Sequence, residues 1–211
     1  MAETHSVSKK IKKEDNDDVE KLDLSTQGLT VLPPLPPELK LLDCSKNLLT
    51  VLPPLSSGLE ILYCFYNQLT ALPILPSTLK TLYCYGNQLT PLPPLPSGLE
   101  ILYCSYNQLT ALPTLPSTLK TLYCYGNQLT ALPPLPLGLK VLYCHLNQLA
   151  VLPLLPPGLE KLYCGCNQLT ALPLLPLGLK DLHCHRNQLK YKGTTIEEIR
   201  EEQKKEIMTT E

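Results

Sequence analysis

The chain has 211 residues, 44% of them hydrophobic, with 22 Pro, one Phe, no Trp and a formal net charge of −1. Lys and Arg (18) nearly balance Asp and Glu (19), so no strong field recommends nucleic acid or a membrane surface. No run of 18 apolar residues suits a bilayer-spanning helix, and the polar start, MAETHSVSKKIKKEDNDD, lacks the apolar centre of a secretory signal.

Residues 1–18 form a charged tail with little to bury, expected to be disordered. Lys9, Lys10, Lys12 and Lys13 are followed by Glu14, Asp15, Asp17 and Asp18, which makes a solvated tail rather than a nucleic-acid arm. From Val19 the chain repeats every twenty residues. Nine copies begin near Val19, Leu39, Leu59, Leu79, Leu99, Leu119, Leu139, Leu159 and Leu179, the first degenerate and the last ending after Leu189. The span 19–190 is therefore one solenoid, in which each unit buries its apolar face only by stacking on its neighbours. Copies at 59 and 99, and at 79 and 119, match best at a forty-residue step, which points to duplication in pairs.

In the copy starting at Leu99, the residues from Ile101 to Ser105 alternate, with Leu102 and Cys104 inward and Ile101, Tyr103 and Ser105 outward. That period of two gives a short strand, and nine such strands give a parallel β-sheet. The asparagines from Asn47 to Asn187 follow each strand, with Gln27 at the first rung. Their amides are expected to serve backbone groups left unpaired at the turn, or to bond from rung to rung. The second half of each copy, such as ALPTLP at 111–116, holds two prolines three apart and cannot be helical. An extended, polyproline-II-like segment on the convex side stacks at nearly strand spacing, so a slender, weakly curved rod on the order of 40 Å long is expected.

Glu60, Lys80, Glu100, Lys120, Lys140, Glu160 and Lys180 mostly alternate in sign from rung to rung, as register support. Residues 191–211 contain Thr195 with Glu198 three on, a capping box, and then Ile196, Ile199 and Ile207 roughly on one face. A short C-terminal helix covering the leucines and the open strand edge of the last rung is expected, with dimerisation as its other use.

Eight of the nine cysteines (Cys44, Cys64, Cys84, Cys104, Cys124, Cys144, Cys164, Cys184) share one column. Parallel side chains on rungs about 4.8 Å apart do not converge as a disulfide requires, so a ladder of buried free thiols in a reducing compartment is expected.

The pattern LPxLPxxLxxLxCxxNxLTx resembles leucine-rich repeats, specifically the short twenty-residue subtype of bacterial type III-secreted effectors of the YopM and IpaH kind. The resemblance covers residues 19–190. It implies a parallel sheet on the concave side and protein binding as the usual work. From the polar start and the free-thiol column, a cytoplasmic location is expected, a host cell's cytoplasm included. The ubiquitin-ligase domain of some such effectors has no counterpart in residues 191–211, so ligase activity is not carried over, and Cys replaces the usual aliphatic residue in its column.

An outward column carries Tyr63, Tyr83, Tyr103, Tyr123, Tyr143 and Tyr163, with Asp23 and Asp43 before and His183 after; Tyr85 and Tyr125 lie two residues on, and Tyr66 and Tyr106 three. Tyrosines one rung apart stack into a rigid surface with an apolar body and a hydroxyl rim. Tyr63, Tyr83, Tyr85, Tyr103, Tyr123, Tyr125, Tyr143 and Tyr163 are the candidate contacts for a protein or peptide; the same ladder also stabilises the sheet through cross-strand pairs. Cys164, Cys166, His183, Cys184 and His185 gather near the C-terminal rungs, but inward cysteines and outward histidines do not converge on four ligands, so no metal or other cofactor is expected. No catalytic constellation assembles. The expected protein is a non-enzymatic interaction module, monomeric or homodimeric. The other reading is a structural or self-assembling protein, a dimer or virion component, joined through the solenoid ends.

Overall fold

A computed structural model describes residues 20–190, 193 and 195–210. The expectation for residues 1–18 lies outside the described residues. Nine strands, β1 (Lys21–Asp23), β2 (Leu41–Asp43), β3 (Ile61–Tyr63), β4 (Thr81–Tyr83), β5 (Ile101–Tyr103), β6 (Thr121–Tyr123), β7 (Val141–Tyr143), β8 (Lys161–Tyr163) and β9 (Asp181–His183), form one sheet in chain order. Every pairing is parallel and in register, so Leu82 faces Leu102 and Tyr83 faces Tyr103. Strands β1 to β8 each bury their central leucine and leave the residues on either side partly or fully exposed, whereas Leu182 in β9 is only partly buried.

The strands are three residues long, shorter than the alternation from Ile101 to Ser105 suggests. Inter-rung bonding nevertheless continues past them. Cys104 N donates to Tyr123 O (2.8 Å) and Tyr106 N to Tyr125 O (2.9 Å). At the second of these bonds the chain turns inward through a left-handed residue, which ends the regular strand geometry. Thr26, Lys46, Tyr66, Tyr106, Leu146, Cys166 and Arg186 take φ of 50–55°, and Gly86 and Gly126 take 66° and 67°. For a non-glycine residue this conformation costs about 1–2 kcal/mol. The stacked rungs hold it, because the same residue's N–H is the one that reaches the next rung.

The asparagine column completes the turn. Asn107 is buried; its Oδ1 accepts from Leu89 N (3.0 Å), and its Nδ2 donates to Cys84 O (3.1 Å), Cys104 O (3.1 Å) and Ser105 O (3.2 Å). Leu89 and Cys84 belong to the preceding rung, so one amide ties two rungs through their backbones. The rung-to-rung link runs from amide to backbone at every step from Asn47 to Asn187.

The core is a stack of identical layers. Leu99, Leu102, Cys104 and Leu109 have no exposed surface, and Leu112 and Leu115 close the layer beneath the proline segment. The seven cysteines from Cys44 to Cys164 are buried free thiols, while Cys166 and Cys184 are partly exposed. Burial pushes the Cys44, Cys104 and Cys144 thiols up to about 12 and those of Cys64, Cys84, Cys124 and Cys164 well above their ordinary value. A neutral-pH maleimide is therefore expected to label Cys166 and Cys184 in the folded protein and all nine cysteines after unfolding, as intact-mass spectrometry would read. Labelling of the buried column at the same rate as free cysteine would contradict the ladder.

The solvent-side charges pair between neighbouring copies: Lys40 with Glu20, Lys80 with Glu60 (2.8 Å), Lys120 with Glu100 (2.5 Å) and Lys180 with Glu160 (2.7 Å). Both members of each pair are well exposed, so the pairs help set register more than they add stability.

The C-terminal helix α1 (Ile196–Thr210) opens with the capping box: Thr195 N donates to Glu198 Oε2 (3.0 Å) and Glu198 N to Thr195 Oγ1 (3.2 Å). It docks on the proline segment of the eighth copy, between β8 and β9. Gln203 is buried; its Nε2 donates to Leu172 O (3.1 Å) and Pro173 O (3.0 Å), and its Oε1 accepts from Leu175 N (3.2 Å). Arg200 donates to Pro176 O and Leu177 O, and Ile199 is fully buried. Its described hydrogen bonds to the solenoid thus go to the convex side between β8 and β9, and none goes to the strand edge of β9, where docking was expected. Leu182, Cys184 and Leu189 on the strand side stay partly buried. The reason lies in the partners available: carbonyls of a proline-rich segment have no neighbouring N–H to take them, and Gln203 and Arg200 supply donors. The side chain of Ile207 lies outside the described residues.

Candidate functional site

The outward residues of the nine strands make the inner surface of the curve. Stacked ring centroids lie 4.2 Å apart for Tyr83–Tyr103, 4.1 Å for Tyr103–Tyr123, 4.3 Å for Tyr123–Tyr143 and 4.1 Å for Tyr143–Tyr163, with interplanar angles of 1–8°. These separations are below the roughly 4.8 Å between strand backbones, so the side chains converge outward and the tyrosine face is the concave one. Tyr63 joins the stack tilted, at 4.9 Å from Tyr83, and His183 closes it at 4.2 Å from Tyr163.

Because the rings lie face to face, their π faces are spent on one another. What the column offers outward is ring edges and hydroxyls. Burial raises the Tyr63, Tyr103 and Tyr123 hydroxyls, with neighbouring tyrosines adding to the shift at Tyr103. At the C-terminal end, the hydrogen bond from Tyr163 OH to Asp181 Oδ2 (2.7 Å) is the main cause of the raised Tyr163 hydroxyl, followed by burial. These groups stay protonated, and so remain donors, throughout the physiological range.

A second, discontinuous row runs beside the ladder. Phe65 stacks on Tyr85 (4.6 Å, 6°) and Tyr125 on His145 (4.3 Å, 10°), with Ser105 interrupting between them. Burial raises the Tyr85 and Tyr125 hydroxyls, and it lowers His145, helped by the neighbouring charges of His185 and His183, so His145 is neutral at pH 7. Tyr66 and Tyr106 stand edge-on to this row, at 5.1 Å and 78° from Tyr85 and at 5.0 Å and 80° from Tyr125.

Those two tyrosines depend on glycines in the next rung. A Cβ added at Gly86 would sit 2.5 Å from Tyr66 Cδ1, and one at Gly126 would sit 2.7 Å from Tyr106 Cδ1. A tyrosine at the left-handed position of one rung thus requires a glycine at the same position of the next. This gives the forty-residue pairing of copies a steric basis. Sequence reading placed Tyr66 and Tyr106 on the strip but missed their left-handed backbone; the glycines standing in the same column in alternate copies were the available signal.

All eight candidate tyrosines therefore lie on one concave surface, six in the main column and Tyr85 and Tyr125 beside it. Among the described residues, no three His, Cys, Asp or Glu side chains come together as a set that could hold a metal ion. His183 Nε2 instead lies 3.4 Å from Asp181 Oδ1. No described helix is long and apolar enough to cross a membrane.

A family model described as leucine-rich repeats (2 copies) matches residues 57–97 and 97–137. Among solved structures, YopM from Yersinia enterocolitica is 33% identical with a TM-score of 0.64; the match covers 81% of this chain and 47% of that one. The chain thus spans about half the length of that YopM. A Shigella effector leucine-rich-repeat domain is 30% identical with a TM-score of 0.63, covering 90% of this chain and 87% of the other. The functional domain of InlJ from Listeria monocytogenes, which includes a cysteine ladder, is 28% identical with a TM-score of 0.74, covering 85% and 42%. No curated protein sequence matches the chain.

Proposed function

Because the chain belongs to the leucine-rich-repeat family, in its short bacterial YopM-like form, we propose that it is a non-enzymatic module whose concave tyrosine face binds a protein or peptide. The observation that carries this is the ladder from Tyr83 to Tyr163, with ring separations of 4.1–4.3 Å. Side chains held by stacking lose little further freedom on binding, and tyrosine joins apolar area to a hydroxyl at low entropic cost. The effector among its relatives extends the proposal to a partner inside a host cell.

The test is a quantitative pull-down from host-cell lysate comparing wild type with a Tyr83→Ser, Tyr103→Ser, Tyr123→Ser variant of preserved thiol protection. The expected result is a partner enriched by wild type and lost by the variant. Enrichment that ignores the three tyrosines would overturn the reading. One observation favours the other reading, association through the solenoid ends: β9 is the last strand of the sheet, and Leu182, Cys184 and Leu189 behind it are only partly buried. Sedimentation equilibrium decides it, since end-to-end association predicts a dimer that a Leu182→Lys substitution abolishes.

A further inference from the structure

We propose that the ligand of the concave face is an uncharged, proline-rich segment in the polyproline-II conformation, seated on the two aromatic corners Tyr66–Tyr85 and Tyr106–Tyr125. This rests on the concave-face reading and adds the chemistry of the partner. The two corners are near copies in geometry, with ring separations of 5.1 and 5.0 Å at angles of 78° and 80°. Tyr66 and Tyr106 are each 52% exposed, so these corners, unlike the stacked column, offer aromatic surface to a ligand.

Their spacing selects the ligand's conformation. The corners recur two rungs apart, and the rung step is 4.1–4.3 Å at the level of the stacked rings and about 4.8 Å at the backbone. Two steps give roughly 8–10 Å. A polyproline-II helix repeats every three residues, about 9.3 Å, so residues i and i+3 fall on successive corners. An extended strand repeats on one face at about 6.7 Å and a helix turns every 5.4 Å, and neither brings equivalent side chains to this interval.

Charge supports the same occupant. From the third rung to the seventh, the outward positions of the strand and of the turn after it hold Ile, Thr, Val, Tyr, Phe, Ser, Gly, Leu and the neutral His145, with no ionised side chain; the charges just before the strands include Glu60 with Lys80 and Glu100 with Lys120, paired with each other. A charged residue seated there would lose its hydration without gaining a counter-charge, so the complementary segment is uncharged over about two polyproline turns. Proline also brings little conformational entropy to lose, and its ring packs on aromatic faces. The tyrosine hydroxyls beside the corners can donate to the carbonyls of a chain that has no N–H to offer in return.

The test is calorimetric titration of the full chain with blocked decaproline, a glycine–serine peptide of equal length, and decaproline carrying two central glutamates. Saturable binding of decaproline alone is expected, insensitive to salt. Tyr66→Ser with Tyr106→Ser should weaken it about tenfold or more, while Tyr66→Phe with Tyr106→Phe, which keeps the rings, should stay within about twofold. Absence of saturable decaproline binding, equal binding of either control, or indifference to the serine pair would overturn the proposal. If decaproline fails while lysate capture still depends on Tyr83, Tyr103 and Tyr123, the polyproline inference falls and the concave-face reading stands. If neither depends on the tyrosines, both fall.

Discussion

Replacing Asn107 with Ala is expected to lower the unfolding free energy by about 2–3 kcal/mol. The amide is buried and serves four backbone groups in two rungs: Leu89 N–H and the carbonyls of Cys84, Cys104 and Ser105. Alanine leaves Leu89 N–H without its acceptor in a buried layer, at roughly 1–3 kcal/mol. Cys84 O keeps Asn87 Nδ2, Cys104 O keeps Asn127 Nδ2 and Ser105 O keeps Gly86 N–H, so the three carbonyls lose one bond each without being orphaned. Urea denaturation followed by circular dichroism measures the loss, with the neighbouring exposed Gln108→Ala expected to stay within about 0.5 kcal/mol. A loss below about 1 kcal/mol for Asn107→Ala would show that solvent or backbone relaxation replaces the amide.

The isosteric Asn107→Asp adds a pH dependence of defined sign. Aspartate keeps the acceptor for Leu89 N–H but turns its other oxygen toward three carbonyls. Desolvation and those carbonyl dipoles raise the folded-state pKa of the new carboxyl above its unfolded value of about 3.9. The folded state then binds more protons than the unfolded state above that value. The variant should therefore be nearest to wild type below about pH 4 and lose stability as pH rises through the folded-state pKa. Denaturation midpoints that run parallel to wild type across this range would count against the geometry.

The second large effect is steric. Gly126→Ala places a Cβ 2.7 Å from Tyr106 Cδ1 and 2.9 Å from Cε1, at a residue with φ of 67°. The left-handed backbone costs alanine about 1–2 kcal/mol, and displacing the ring from its edge contact with Tyr125 adds about 1 kcal/mol more. A double-mutant cycle with Tyr106→Ala separates the two parts. The steric share should vanish in the double variant, leaving a coupling of about 1 kcal/mol, while the backbone share persists. Strict additivity would mean that Tyr106 yields freely, and the alternation of tyrosine and glycine would then reflect duplication alone. Gly28, which has φ of 69° but no atom within 4 Å of an added Cβ, is the control for the backbone share.

These variants bear on function as well as stability. The Tyr66 and Tyr106 corners exist only where the following rung supplies a glycine, at Gly86 and Gly126. Past the seventh rung the position is held by Cys166 and Arg186, and no such corner recurs. The proposed site therefore occupies the middle of the sheet, away from the exposed edge of β9.

Most of the architecture was legible in the amino-acid order because each rung solves the same packing problem. Twenty-residue periodicity forces in-register parallel stacking, and one small or aliphatic residue type per column fills identical layers. Cys104 with no exposed surface, Asn107 on the backbone of two rungs, Lys120 on Glu100 and Thr195 with Glu198 all follow from spacing and local chemistry. Periodicity says which residues share a column, but it does not say how closely neighbours approach or in which direction they lean. Tertiary structure decided that the tyrosine rings lie face to face and expose only their edges. It decided that the left-handed turn makes Tyr106 answer to Gly126, and that α1 seats on the proline segment because Gln203 finds unpaired carbonyls there. Each depends on distances between groups in different rungs, fixed only once every layer has stacked on the next.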